Sequence, residues 1–286
     1  MTVFYWLNQG RLGNLLFQYA AILRYTSPDD RVYSFSNDAF ELLQRASRFK
    51  VIPGASSVAR HVSYRLDLVV RLAERRRLIG SLRTESELIA GTFAVESTTV
   101  RKIAGSLRSC FVVDGFFQDP ASAEAPLQIK AALIASAKQR LAATTKAEIK
   151  VAVHIRLTDY GSWSIMGVAG TLIAPAWYRD RINELRVRLD SPTFIVFSDD
   201  IGMAKMLNLG EDVIYFRGDS SLEDFAAMAL CDHAIISPSS FAWWAMAMCQ
   251  NPKKIVMAPT YWLGFKTGTW YPPSIVTDWM EYYPVN

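Results

Sequence analysis

The chain has 286 residues, 51% of them hydrophobic and 20% charged, which is ample for a folded core, too apolar for a disordered segment and long enough for two medium domains. A net charge of +4 suits an anionic ligand, but it is too small for a nucleic-acid coat, and the aromatics do not interleave with basic residues as RNA binders require. Three cysteines, Cys110, Cys231 and Cys249, without CxxC spacing suggest neither a disulfide framework nor a zinc site.

The first residues, "MTVFYWLNQGRLGN", lack the basic segment, apolar run and cleavage site of a signal peptide, and no stretch reaches the length of a membrane span. An untargeted, cytoplasmic protein is expected. Strands are predicted at 3–7 ("VFYWL") and 31–36 ("RVYSFS"), each followed by a helix, over 12–24 and 38–45. Apolar residues at helical spacing with arginines between them predict an amphipathic helix over 62–79, then a strand at 110–117 ("CFVVDGFF") and a helix over 126–143. The polar stretch 144–150 ("TTKAEIK") separates that helix from a fresh strand and marks the expected domain boundary, giving domains 1–149 and 150–286. Beyond it stand five strand candidates, "KVAVHI", "TFIVFS", "DVIYF", "HAIIS" and "KIVMA", most of them β-branched runs of the kind buried on both faces of a parallel sheet. Alternating βα units imply a doubly wound α/β sheet, whose ligands sit beyond the carboxyl ends of the strands.

Four stretches place chemistry at such ends. After "VAVHI" come Arg156 and Asp159: a guanidinium there can make paired charge-assisted bonds to phosphate, with the carboxylate orienting it or taking a proton, although a surface ion pair would look the same. After "FIVF" come Ser198, Asp199 and Asp200, where either acid can cap the next helix or bind a ribose or base. In "HAIISPSSFAWW", Ser239 and Ser240 open a helix whose free N–H groups form an anion site, or simply cap it. In "GRLGNLLFQYA", Gly10 and Gly13 allow a close backbone approach to a ligand or a tight strand-to-helix turn.

In order and spacing, Gly10–Ala20, His154–Tyr160, Phe197–Asp200 and Pro238–Trp244 resemble the signatures of the bacterial α1,2-fucosyltransferases: G-R-L-G-N-Q-x-F-Q-Y-A, H-x-R-R-x-D-Y, F-S-D-D and N-S-S-F-S-W-W. "DGFFQ" (114–118) is similar to their G-Y-F-Q element. The resemblance spans nearly the whole chain. It implies an inverting glycosyltransferase of GT-B type, with two facing Rossmann-like domains and a mostly parallel sheet in each. The C-terminal domain would hold GDP-fucose and the N-terminal one mainly an oligosaccharide or lipid-linked glycan acceptor. By the same resemblance Arg156 binds the donor diphosphate, Arg11 and Asn14, beside Gly13, approach the diphosphate or fucose, Ser239 and Ser240 cradle phosphate, Asp199 or Asp200 faces the nucleoside, and His154 supports the arginine or touches the donor. Four positions depart from the pattern: Leu15 for glutamine, Leu157 for the second arginine, Pro238 for asparagine and Ala242 for serine. They leave open another GDP-deoxysugar, or a homologue that binds GDP or a glycan without turnover.

No D-x-D triplet occurs in the chain, so Arg156, Arg11 and the helix start at Ser239 are expected to neutralise the leaving diphosphate without a metal. Asp159 and Asp114 are candidate bases. Trp163, in the glycine-rich loop 161–170, offers a ring for an acceptor sugar. The arginines at 71–77 suit peripheral contact with the inner face of a membrane.

Overall fold

The computed structural model of the protein describes residues 1–8, 10–52, 72–73, 75–89, 93–105, 107–112 and 115–285. Asp114 and most of the helix expected at 62–79 lie outside them. The chain forms two compact units, Met1–Gln128 and Ile129–Asn286.

The N-terminal unit is built on strands β1 (Val3–Trp6), β2 (Arg31–Ser34), β3 (Phe49–Val51), β4 (Gly80–Ile89), β5 (Phe93–Ile103) and β6 (Ser109–Val112). Their order is β3-β2-β1-β6-β4-β5, parallel throughout except for the β4–β5 pair. Helix α1 (Leu12–Tyr25) covers one face, burying Leu15, Leu16, Phe17 and Ile22. Strands β1 and β6 alternate between buried and half-buried residues, as strands with one well-covered face do. On the covered side Trp6 donates its indole N–H to Gln18 Oε1 at 2.7 Å. On the other, Tyr5 stacks on Tyr33 and on Phe111, at 5.9 and 4.9 Å between ring centres. The strand expected at 110–117 ends at Val112. Beyond it Gly115 and Phe117 take positive φ, which no strand accommodates. The β4–β5 hairpin was not anticipated, although its two alternating stretches flank "AGT", a hairpin signal. Helix α2 (Asp38–Leu42) is shorter than the expected 38–45.

The C-terminal unit opens with α3 (Ala131–Thr144), then β7 (Lys150–Ile155), a small hairpin β8 (Ser164–Ile165) and β9 (Val168–Ala169), α4 (Pro175–Arg188), β10 (Thr193–Ser198) and α5 (Ile201–Met206). It continues with β11 (Ile214–Tyr215), α6 (Ser221–Ala229), β12 (His233–Ile236), α7 (Ser240–Ala247), β13 (Val256–Pro259) and β14 (Glu281–Tyr283). The six main strands are all parallel, in the order β11-β10-β7-β12-β13-β14. β12 and β13 are buried at every residue and β7 at all but the first, because helices pack on both faces. Val151, Val153, Ile155, Trp177, Ile182, Phe194 and Val196 form the centre of one apolar cluster. The expected α/β class, with a mostly parallel sheet in each half, is present.

Helix α3 goes with this second unit, so the compact units divide 21 residues before the expected boundary at 149/150. The reason is a buried polar contact: Glu223 of α6 accepts from Ser136 Oγ and lies 3.1 Å from Arg140 Nε, and Arg140 also pairs with Asp219.

Candidate active site

The strand order of the C-terminal sheet reverses between β7 and β12, and the crevice outside the carboxyl ends of two such strands is where doubly wound sheets bind ligands. β7 brings Arg156 to it. The guanidinium donates through Nε to Asp159 Oδ1 at 2.8 Å and through Nη2 to Asp159 Oδ2 at 3.1 Å. Asp199 Oδ2 stands 3.2 Å from the same Nε. Burial works against the cation, but the Asp159 hydrogen bond and the two carboxylates outweigh it, so the Arg156 pKa rises further. The side chain is 17% exposed: fixed on its Nε edge, with N–H groups remaining for an anion. Both Asp159 oxygens are used by Arg156, the geometry of an orienting carboxylate.

Asp199 reaches Arg156 because Ser198 pairs in register with Ile155. It accepts from Leu157 N at 2.9 Å, from Thr158 N at 3.2 Å and from Thr158 Oγ1. Burial would raise this carboxyl, but the Thr158 and Leu157 hydrogen bonds and the Arg156 charge hold it below the usual range. Asp200 caps α5, accepting from Met203 N at 2.9 Å, and Ser198 Oγ accepts from Asp200 N at 3.1 Å. Both acids that the sequence offers to a nucleoside are thus engaged within the protein.

The other wall is the turn from β12 into α7. Ser237 N donates to the His154 carbonyl at 3.0 Å, and Ser237 Oγ lies 2.8 Å from His154 Nδ1. Burial lowers the His154 pKa to about 4, against a small opposing pull from Asp199, so the ring is a neutral support of the turn at ordinary pH. Ser239 precedes α7 as its N-cap residue without a side-chain capping bond, and Ser240 begins the helix. α7 begins just beyond the carboxyl end of β12, and its first-turn N–H groups are ones that no helix can satisfy internally. Trp243 and Trp244 are fully buried core residues.

The loop 161–170 is the β8–β9 hairpin, turning through Met166 and Gly167, both at positive φ. Trp163 is 43% exposed and stacks on Tyr160, 5.2 Å between ring centres. The departures are structural as well as chemical. Leu157 is 8% exposed and belongs to the apolar cluster, Leu15 is buried under the N-terminal sheet, and Ala242 has no exposure.

In the N-terminal unit the equivalent reversal lies between β1 and β6. There Gly10 has φ +85°, which favours glycine, and a Cβ on it would meet the Asn14 and Phe116 side chains at 2.9 Å, so that they would have to shift. Gln118 Nε2 donates to Asn14 Oδ1 at 2.8 Å, joining the 115–118 segment to the start of α1. Arg11 is exposed at the N-cap position, and Gly13 is buried in the first turn. Each unit therefore gathers its own set: Arg156, Asp159, Asp199, His154, Ser239 and Ser240 in one, Gly10 to Asn14 and Gln118 in the other. Sequence reasoning gave no role to Thr158, Ser237 or Gln118. Their partners are fixed by strand adjacency, which spacing along the chain does not reveal.

Among the described residues no group of three or more His, Cys, Asp or Glu side chains is arranged to hold a metal ion, and no helix is long and apolar enough to cross a membrane.

Residues 70–265 match the family described as glycosyl transferase family 11. Over 118 residues the chain is 34% identical to an alpha-1,2-colitosyltransferase of Escherichia coli, covering 39% of this chain and 40% of that protein. Over 100 residues it is 29% identical to galactoside alpha-(1,2)-fucosyltransferase 1 of Saimiri sciureus, covering 33% of this chain and 27% of that protein. The chain thus spans less than half the length of these relatives. Among solved structures it is similar to POFUT1 in complex with GDP, with a TM-score of 0.55 and 13% identity over 90% of this chain and 97% of that one. It is also similar to the alpha-1,6-fucosyltransferase NodZ soaked with GDP-fucose, with a TM-score of 0.52 and 13% identity over 87% and 93%. At that identity the likeness carries the fold, which is GT-B.

Proposed function

The chain belongs to glycosyl transferase family 11, and on that premise we propose that it transfers L-fucose from GDP-fucose, with inversion, to a galactose-type hydroxyl in α1,2 linkage. The observation that carries this reading is Arg156, a cation fixed by Asp159 and Asp199 at the carboxyl end of β7, beside the start of α7. Transfer needs the departing diphosphate neutralised as the anomeric carbon becomes oxocarbenium-like, and preorganised donors supply that without reorganisation. The Nη groups of Arg156 and the first turn of α7, with Ser239 and Ser240, are the donors assigned to it. No step calls on a metal.

Asp159, bound to Arg156 through both oxygens, is assigned the orienting role and not that of a base. Arg11, Gly13 and Asn14 are assigned to donor contacts by the resemblance, and the N-terminal unit mainly to the acceptor, with Trp163 a ring for sugar stacking. The setting that fits is surface-glycan synthesis from a lipid-linked or oligosaccharide acceptor on the cytoplasmic side.

Calorimetric titration of the EDTA-treated protein with GDP, GDP-fucose, UDP and ADP tests the reading. Selective binding of the guanosine ligands is expected, and equal affinity for all four would overturn it. A second reading, transfer of another GDP-deoxysugar, is favoured by the similarity to a colitosyltransferase and by Leu157, which puts an apolar side chain where the related motif has a guanidinium. Transfer from GDP-colitose in preference to GDP-fucose would select it. GDP binding with no transfer from either donor would point instead to a homologue without turnover.

A further inference from the structure

The Arg156 loop and the β12–α7 turn are tied together by a contact that neither donor binding nor the sheet requires. Tyr160, which is buried, donates its hydroxyl to the carbonyl of Pro238 at 2.6 Å. Its backbone is fixed in turn, since the Tyr160 carbonyl accepts from Thr171 N at 2.8 Å and from Thr171 Oγ1 at 3.1 Å. The ring lies 5.9 Å from the Arg156 guanidinium carbon, and burial pushes the phenol well above its ordinary pKa, so it stays a donor.

Pro238 has no N–H, and the Ser239 N–H turns back to the Ser237 carbonyl at 2.7 Å. The turn therefore keeps its own donors inward, and the donors left for an anion are those of the first turn of α7. The direction of that turn is set by the 238–239 peptide plane. A buried carbonyl without a partner is costly, and one released from Tyr160 can rotate its negative end towards the place an anion would occupy.

We propose that Tyr160 is a positioning residue for anion binding: by holding the Pro238 carbonyl, its hydroxyl keeps the start of α7 aimed at the diphosphate that Arg156 binds. The inference rests on the donor-site reading above and deepens it. Acting through the Pro238 carbonyl, Tyr160 is expected to affect binding of the phosphates and not of the nucleoside.

The test compares GDP with guanosine, by calorimetry, on the intact chain. In Tyr160→Phe, GDP affinity should fall roughly tenfold, the usual consequence of losing one buried hydrogen bond. Guanosine affinity should stay unchanged, a ratio that general destabilisation would not alter. Replacing Tyr160 with 4-aminophenylalanine, which keeps a weaker donor, should restore part of the ratio. If Tyr160→Phe does not fold, 4-fluorophenylalanine at position 160, which keeps the ring and has no donor, carries the test, and a GDP-to-guanosine ratio equal to wild type in either folded variant overturns the proposal. The donor-site reading fails separately, if wild type binds GDP no better than guanosine or if Arg156→Ala leaves GDP affinity intact.

Discussion

Each of the two sheets reverses its strand order beside its first strand, but the two reversals are furnished with different chemistry. At β7/β12 the groups are charged and mutually committed: Arg156 to Asp159 and Asp199, Asp199 to the 157–158 backbone, His154 to Ser237. At β1/β6 they are Arg11, exposed at the start of α1, with neutral amides and a glycine, Gln118 on Asn14 and Gly10 leaving room for both Asn14 and Phe116. A cation held by fixed carboxylates is preorganised for an anion, because its partners do not move when the ligand arrives. A glycine–amide corner offers backbone access and hydrogen bonds that discriminate by shape. The two switch points thus differ in chemistry, a cation held by carboxylates in one unit and a glycine with paired amides in the other.

The sharpest way to break that contrast is Glu223→Ala. Without Glu223, Ser136 Oγ and the Asp219 N–H lose their acceptor, at about 1–3 kcal/mol each, and Arg140 keeps only its pair with Asp219, so the C-terminal unit should melt earlier in calorimetry while the N-terminal one keeps its transition. Next in size is Arg156→Ala. Loss of a charge-assisted diphosphate contact, roughly 1.5–3 kcal/mol, should weaken GDP binding about ten- to a hundredfold in a protein whose circular dichroism is unchanged. Arg156→Lys should recover only part, since an ammonium cannot reproduce the two parallel bonds to Asp159.

Acid should separate the units as well. His154 and His233 both lie in the C-terminal sheet and both are lowered by burial, His154 to about 4. Between the unfolded histidine value of about 6.5 and that folded value the unfolded chain binds more protons, so stability falls as pH drops through this window. Asp199, held below its unfolded value, contributes stability that is complete above the unfolded carboxylate range and is lost as pH falls through its folded pKa. The C-terminal transition should therefore move down first on acidification, and His154→Asn should flatten its slope between pH 6.5 and 4. An equal response of both transitions would break the comparison. The smallest effect expected is in the N-terminal unit: Tyr33→Ala removes one ring of the Tyr5–Tyr33–Phe111 stack, a change of about 0.5–1.5 kcal/mol beyond area burial, with no change in GDP affinity.

Arg156 was legible in the sequence because a continuous apolar run ends on it, and a parallel strand buried on both faces tells where its carboxyl end lies. The β12–α7 turn was legible for the same reason, with Pro238 stopping the strand. The engagement of Asp199 with Leu157 and Thr158 was not, since it depends on β10 lying beside β7, forty residues away in the chain. Nor was the allegiance of α3: an amphipathic helix announces that it will pack, but its partner, helix α6, is chosen by Ser136 and Arg140 meeting Glu223. The β4–β5 pair lies in a stretch, between the helix expected at 62–79 and the strand expected at 110–117, to which no element was assigned.

That allegiance of α3 also sets where the chain can be divided. A fragment beginning at Lys150 would carry the whole parallel sheet and still present a bare acidic socket at Glu223, together with the flank of α6 that α3 shields. One beginning at Ile129 would carry its own closure. For dissection, segment exchange with a relative or display of the sheet as an isolated binding module, the natural cut therefore falls ahead of a helix that the primary structure assigns to the other side.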